Sequence, residues 1–189
     1  MKKLVAILVG LIIGSAAFAM PMYAGLSLGG TNYGTGEYRT GGFTMEPRFG
    51  IRPIDAYQNI AFEVFWNATL PSKKEFERNQ YWNMYYKDNL NVIAVRCVYD
   101  FNELSAVPGL SFFADAGLGL GIYGCKFVSE STYYNDTSSM SVYTGFCLPV
   151  GGGAKYAFMD NLEAVASMEF GIGSFTYFQF VIGCNYKFY

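Results

Sequence analysis

The chain has 189 residues, 52% of them hydrophobic and 19% aromatic, with 15% charged and a formal net charge of −2. There is no basic excess to serve a nucleic acid, and so few charges are unusual on the outside of a soluble domain. It holds no histidine, which removes the usual Ser-His and Asp-His general-base arrangements, so no enzyme is expected.

Met1-Lys2-Lys3 is a short basic start, Leu4 to Ile13 is an apolar run, and Ala17-Phe18-Ala19 fits a small-residue cleavage pattern. Residues 1–19 are therefore expected to be a signal peptide, the apolar core being shorter than the roughly 20 residues that span a bilayer. Residues 20–189 then form one domain with eleven basic against fifteen acidic residues, a net charge of −4.

Beyond that segment the sequence alternates with period two, the mark of strands with two unlike faces. The first strand, Met22 to Asn32, sets Met22, Ala24, Leu26 and Leu28 against Tyr23, Gly25, Ser27 and Gly29. Gly42 to Arg52 sets Phe43, Met45, Pro47, Phe49 and Ile51 against Glu46, Arg48 and Arg52. Ile60 to Thr69 sets Phe62, Val64, Trp66 and Ala68 against Glu63 and Asn67. Leu90 to Phe101 sets Ile93, Val95, Cys97 and Tyr99 against Arg96 and Asp100. Leu110 to Tyr123 sets Phe112, Ala114, Ala116, Leu118 and Leu120 against Asp115 and glycines. Ser141 to Ala157 sets Phe146, Leu148, Val150 and Tyr156 against Lys155. Leu162 to Gly171 sets Ala164, Ala166, Met168 and Phe170 against Glu163 and Glu169. Phe175 to Phe188 sets Phe178, Phe180, Ile182, Cys184 and Tyr186 against Gln179, Asn185 and Lys187.

Eight such strands, each long enough to cross a bilayer at a tilt, predict an all-β, eight-stranded antiparallel up-and-down transmembrane β-barrel. All the strand charges fall on the polar faces, and a charge facing mid-bilayer lipid would cost roughly 2–4 kcal/mol. The connections differ in length. Gly34 to Gly41, Leu70 to Asn89 and Gly124 to Met140 are expected as outside loops, and Pro53 to Asn59, Asn102 to Gly109 and Phe158 to Asn161 as periplasmic turns.

Three segments carry a family resemblance. Val107-Pro108-Gly109-Leu110 through Ala116-Gly117-Leu118-Gly119, then Gly151-Gly152-Gly153-Ala154-Lys155-Tyr156 through Asn161-Leu162, and finally Asn185-Tyr186-Lys187-Phe188 resemble strands of the opacity-protein and outer-membrane protein A type of small barrel. The resemblance implies a bacterial outer-membrane location with outer-membrane lipid around the wall. It also implies an insertion signal for the barrel-insertion machinery at Tyr186, Phe188 and Tyr189.

The eleven polar-face charges are expected to form a lumen ion-pair network: Glu46, Arg48, Arg52, Glu63, Arg96, Asp100, Asp115, Lys155, Glu163, Glu169 and Lys187. Arg48 and Arg52 are expected to reach Glu63, and Asp115 to reach Lys155 or Arg96. Cys97, Cys125, Cys147 and Cys184 include no C-x-x-C pair, and no G-K-[ST] follows the glycine runs. Neither a metal site nor a cofactor is therefore expected. Exposed aromatics mixed with charges compose binding surfaces, which makes Phe76, Tyr81, Trp82, Tyr85, Tyr86, Tyr133 and Tyr134 candidate loop-binding residues. The expected role is structural and adhesin-like, the outer loops meeting a host-surface or matrix partner. The alternative is a narrow passive pore for small solutes.

Overall fold

The computed structural model describes residues 21–35, 38–52, 59–78, 81–101, 106–131 and 135–188. The expected signal segment, Tyr133, Tyr134, Tyr189 and most of Pro53 to Asn59 lie outside the described residues. Among those described, the secondary structure is strand throughout: β1 Met22–Thr35, β2 Tyr38–Ile51, β3 Ile60–Thr69, β4 Ser72–Arg78, β5 Trp82–Phe101, β6 Leu110–Ser131, β7 Thr137–Met159, β8 Leu162–Gly173 and β9 Thr176–Phe188. No helix is long and apolar enough to cross a membrane.

Every pairing is antiparallel between neighbours. β1 pairs with β2 from Met22↔Ile51 to Thr35↔Tyr38, and β3 skips β4 to pair with β5 from Ile60↔Tyr99 to Ala68↔Asn91. β1 also pairs with β9 from Met22↔Phe188 to Gly34↔Thr176, which closes the sheet on itself. The ring therefore has eight strands in the order β1, β2, β3, β5, β6, β7, β8, β9.

The strand pairing corrects the sequence reading of three loops. β4 continues the line of β3 after Leu70 and Pro71 and pairs with the upper part of β5, from Ser72↔Asp88 to Arg78↔Asn83. β5 and β6 stay in one register from Phe101↔Phe112 up to Trp82↔Ser131, and β6 and β7 pair up to Ser129↔Thr137. Leu70 to Asn89 and Gly124 to Met140, and also Gly34 to Gly41, where β1 pairs with β2 up to Thr35↔Tyr38, are thus largely hairpin, not loop. Above the barrel both faces of a strand meet water, so the alternation that marks a strand in the wall disappears from the sequence. Pro71, which donates no backbone hydrogen bond, falls in the break between β3 and β4, where a ladder tolerates it.

Alternation inside the wall follows the sequence. On β5, Val92, Ala94, Arg96, Val98 and Asp100 are buried while Ile93, Val95, Cys97, Tyr99 and Phe101 are exposed. The outer wall shows Leu26, Phe43, Phe62, Trp66, Leu118, Leu120, Phe146, Phe170 and Phe180 to the surroundings. At the opposite end of the barrel, Val107-Pro108-Gly109-Leu110 is a tight turn. The Leu110 N–H donates to the Val107 carbonyl at 3.1 Å, and Gly109 takes φ +80, the left-handed value that glycine supplies behind a proline.

Candidate functional site

Inside the ring the buried side chains fall into three levels. One apolar cluster, Tyr33, Phe65, Leu90, Val92, Ala94, Cys147, Phe175 and Tyr177, fills the end nearer the hairpins. A second, Tyr23, Ala61, Val98, Phe113 and Val165, fills the other end. Arg96 holds the level between them. It stands directly opposite Glu63 in the β3–β5 register and reaches three carboxylates: Glu63 at 2.7 Å, Glu169 at 2.8 Å and Glu46 at 3.1 Å. Its guanidinium carbon lies 4.4 Å from the centre of the Phe65 ring. Gly117 faces Arg96 across the β5–β6 ladder, and any side chain there would collide with the Val95 carbonyl and the Arg96 backbone. The glycine lets the Val95–Arg96 backbone and the root of the Arg96 side chain lie close against β6.

The remaining predicted lumen residues are placed as follows. Lys155 pairs with Asp100 at 2.8 Å, and Lys187 with Glu163 at 2.8 Å. Arg52 pairs with Asp100, not with Glu63 as the sequence suggested, because it lies at the barrel rim while Arg96 already occupies Glu63 deeper in. Arg48 lies 3.9 Å from Glu46 and donates a hydrogen bond to Ser27. Asp115 pairs with neither Lys155 nor Arg96. Both its carboxylate oxygens lack a hydrogen-bond partner in the buried lumen, since Arg96 turns away toward its three glutamates.

Sequence reasoning missed the neutral members of the network. The Tyr23 hydroxyl donates to Glu63 at 2.5 Å, the Tyr177 hydroxyl to Glu169 at 2.6 Å, and the Gln179 amide to Glu46 at 2.5 Å. The Asn67 amide donates to Gln179. All four stand on the lumen faces of their strands, and that parity was the signal available.

Of the candidate binding aromatics, Tyr81, Trp82 and Tyr86 are exposed. Tyr85 is 6% exposed, which corrects its reading as a loop-surface residue. Its ring is covered by the ammonium groups of Lys73, 4.2 Å from the ring centre, and Lys87, at 5.5 Å. Its hydroxyl donates to Glu130 at 2.7 Å, and that hydrogen bond raises the Tyr85 pKa. Lys73 also donates to Glu75 at 2.7 Å, which holds the Glu75 carboxyl below its usual range. Tyr86 packs against Phe127 with ring centres 5.5 Å apart. Phe76 lies on β4, its side chain outside the described residues. Tyr186 and Phe188 both point outward, edge to face at 5.1 Å. All four cysteines are free, with Cys97 and Cys184 on the outer wall and Cys147 buried.

No protein-family model and no curated protein sequence matches the chain. Solved structures do. Neisserial surface protein A superposes with a TM-score of 0.63 at 17% identity, covering 88% of this chain and 97% of that one. Ail, the attachment invasion locus protein of Yersinia pestis, solved in complex with the heparin analogue sucrose octasulfate, gives 0.60 at 14% identity over 89% and 99%. A major outer membrane protein from Thermus thermophilus gives 0.60 at 9% identity over 87% and 99%. With a closed eight-stranded ring, a charged network buried between two apolar clusters inside and an apolar wall outside, this chain has the fold of the small outer-membrane β-barrels.

Proposed function

We propose that the chain is a surface-exposed protein of a bacterial outer membrane, with the β4–β5 and β6–β7 hairpins outside the cell, and that its role is structural and adhesin-like. The observation that carries this reading is the free edge of β7. β8 reaches up β7 only as far as Cys147↔Gly173. Above that point Thr137 to Gly145 pairs with β6 on one side, and among the described residues no strand pairs with it on the other. Edge strands are normally protected by charge or proline. At the opposite edge of the raised sheet, β4 carries Lys73, Lys74, Glu75 and Arg78 and follows Pro71. The β7 edge, Thr-Ser-Ser-Met-Ser-Val-Tyr-Thr-Gly, carries neither charge nor proline.

An unprotected edge suits a host-surface or matrix protein that presents an extended segment and adds it to the sheet. Its test is adhesion of cells displaying the wild type or a Ser139→Lys/Ser141→Lys variant. Charging the edge should abolish adhesion while equal amounts of folded barrel reach the surface. Unchanged adhesion would exclude this edge as the docking element. The competing reading, a passive pore, has the Arg96 level and its two apolar neighbours standing across its path. Planar-bilayer recording separates the two, since a large steady conductance would favour the pore.

A further inference from the structure

We propose that Lys73, Lys87 and Lys126 form a phosphate-binding row that holds an anionic glycolipid of the outer leaflet against the side of the barrel. The assignment rests on the hairpins lying outside, as in the reading above, but not on the β7 edge. The three lysines come from three consecutive strands. Lys73 stands directly opposite Lys87 in the β4–β5 register, and Lys87 directly opposite Lys126 in the β5–β6 register. All three are exposed. They lie on the face that continues the outer wall, since Lys87 shares the strand parity of Ile93, Val95 and Cys97.

Like charges facing each other across a ladder destabilise it, and here the sheet repeats that arrangement across two ladders. Lys73 is relieved by Glu75 on its own strand. Among the described residues neither Lys87 nor Lys126 has a carboxylate within ion-pair distance. Lys73 and Lys87 both lean over the Tyr85 ring, which fixes the two ammonium groups above a common floor. In the next row toward the barrel, Gly124 stands opposite Asn89, and the Asn89 carboxamide oxygen fills the space that a side chain at Gly124 would take.

The class of ligand follows from the chemistry and the source from the position. Adjacent ammonium groups with free donors match a phosphomonoester, which carries up to two charges and accepts several charge-assisted hydrogen bonds. Below the row on the same face come Asn91, then Trp66, whose indole N–H donates to Asn91 at 3.3 Å. Trp66 shares one ladder row with Ile93, Leu120 and Phe146, all exposed. A tryptophan at the edge of an apolar belt, hydrogen-bonded to an asparagine, marks the membrane–water interface. Lys87 lies six residues of strand beyond Ile93, which at ~3.4 Å per residue is about 20 Å along a tilted strand. That is the level of sugar and phosphate above the hydrocarbon, and a molecule lying alongside the wall at that level comes from the surrounding leaflet. A soluble ligand would more readily use the mouth or the hairpin tips.

The test uses refolded full-length barrel in a neutral detergent, incubated with diphosphoryl lipid A. Retained lipid per barrel is counted by native mass spectrometry after gel filtration. The wild type should retain lipid, and Lys87→Gln/Lys126→Gln should bind it about tenfold more weakly or worse. Lys74→Gln, whose side chain belongs to the opposite face, should match the wild type. β-type circular dichroism and heat-modifiable gel migration establish that each variant is folded. Equal retention by the double variant would overturn the row, as would undiminished retention of fully dephosphorylated lipid A. Binding of a sulfated polysaccharide through the same lysines without retention of lipid A would overturn the glycolipid as its occupant. Adhesion through the β7 edge is read separately and stays intact in the double variant if that reading holds.

Discussion

Arg96 compensates three buried carboxylates at once, and two of the three take a further hydrogen bond from a tyrosine. A buried ion pair gives little net stability relative to a well-packed apolar core, but removing one partner leaves an uncompensated charge. Arg96→Met should therefore cost roughly 3–5 kcal/mol in urea unfolding from lipid vesicles, and it should raise the conductance of the folded fraction. Loss of neither stability nor closure would mean that the glutamates are satisfied without the guanidinium. The side from which each charge is presented was legible in the sequence, because parity along a strand fixes its face. The partner was not legible. Arg52 meets Asp100, and Asp115 forms no ion pair among the described residues, because pairing depends on height in the barrel and on side-chain reach, which one strand's sequence does not encode.

The strand segments in the wall differ from their continuations above it. In the wall, one face meets hydrocarbon, so a charge at any outward position is costly. Leu118, 59% exposed near the middle of β6, should lose roughly 2–4 kcal/mol on replacement by Arg. Tyr81→Arg at the β4–β5 hairpin should leave stability unchanged. The midpoints of vesicle-based unfolding measure both, and equal midpoints would place β6 away from lipid. The same contrast explains which elements the sequence reveals. Each ring strand is recognisable over its membrane-crossing length, from Phe43 to Ile51 or from Phe178 to Phe188 for example. β4 and the upper parts of β5, β6 and β7 read as loops because no apolar environment selects one of their faces. Their strand character shows only in the continuous register from Lys87↔Lys126 to Trp82↔Ser131.

The whole molecule is lopsided. On one side β4, β5, β6 and β7 rise as a four-stranded sheet. On the other, β8 and β9 are joined by a short turn at Gly173, Ser174 and Phe175, with the Ser174 N–H donating to the Phe146 carbonyl at 2.9 Å. With the tall side outside the cell, a broad protease added to intact bacteria should cut near Tyr81, at the tip of the β4–β5 hairpin. The turn at Asp160 and Asn161 should be spared until the cells are opened. Cutting at Asp160 in intact cells would invert the topology.

The seam between β1 and β9 has a consequence in time. All other ring contacts join strands adjacent in the chain or separated only by the β4 hairpin, so each forms across a short length of polypeptide. Met22 finds Phe188 across nearly the whole domain, and contacts that close long loops are the slow ones. Hairpins can accumulate early, and the cylinder becomes edgeless only at the end, when the first strand docks on the last. Until then two unsatisfied strand edges persist in a medium with no water to solvate them. Shut seam and buried backbone are thus one event, and the step expected to limit assembly is the meeting of β1 with β9.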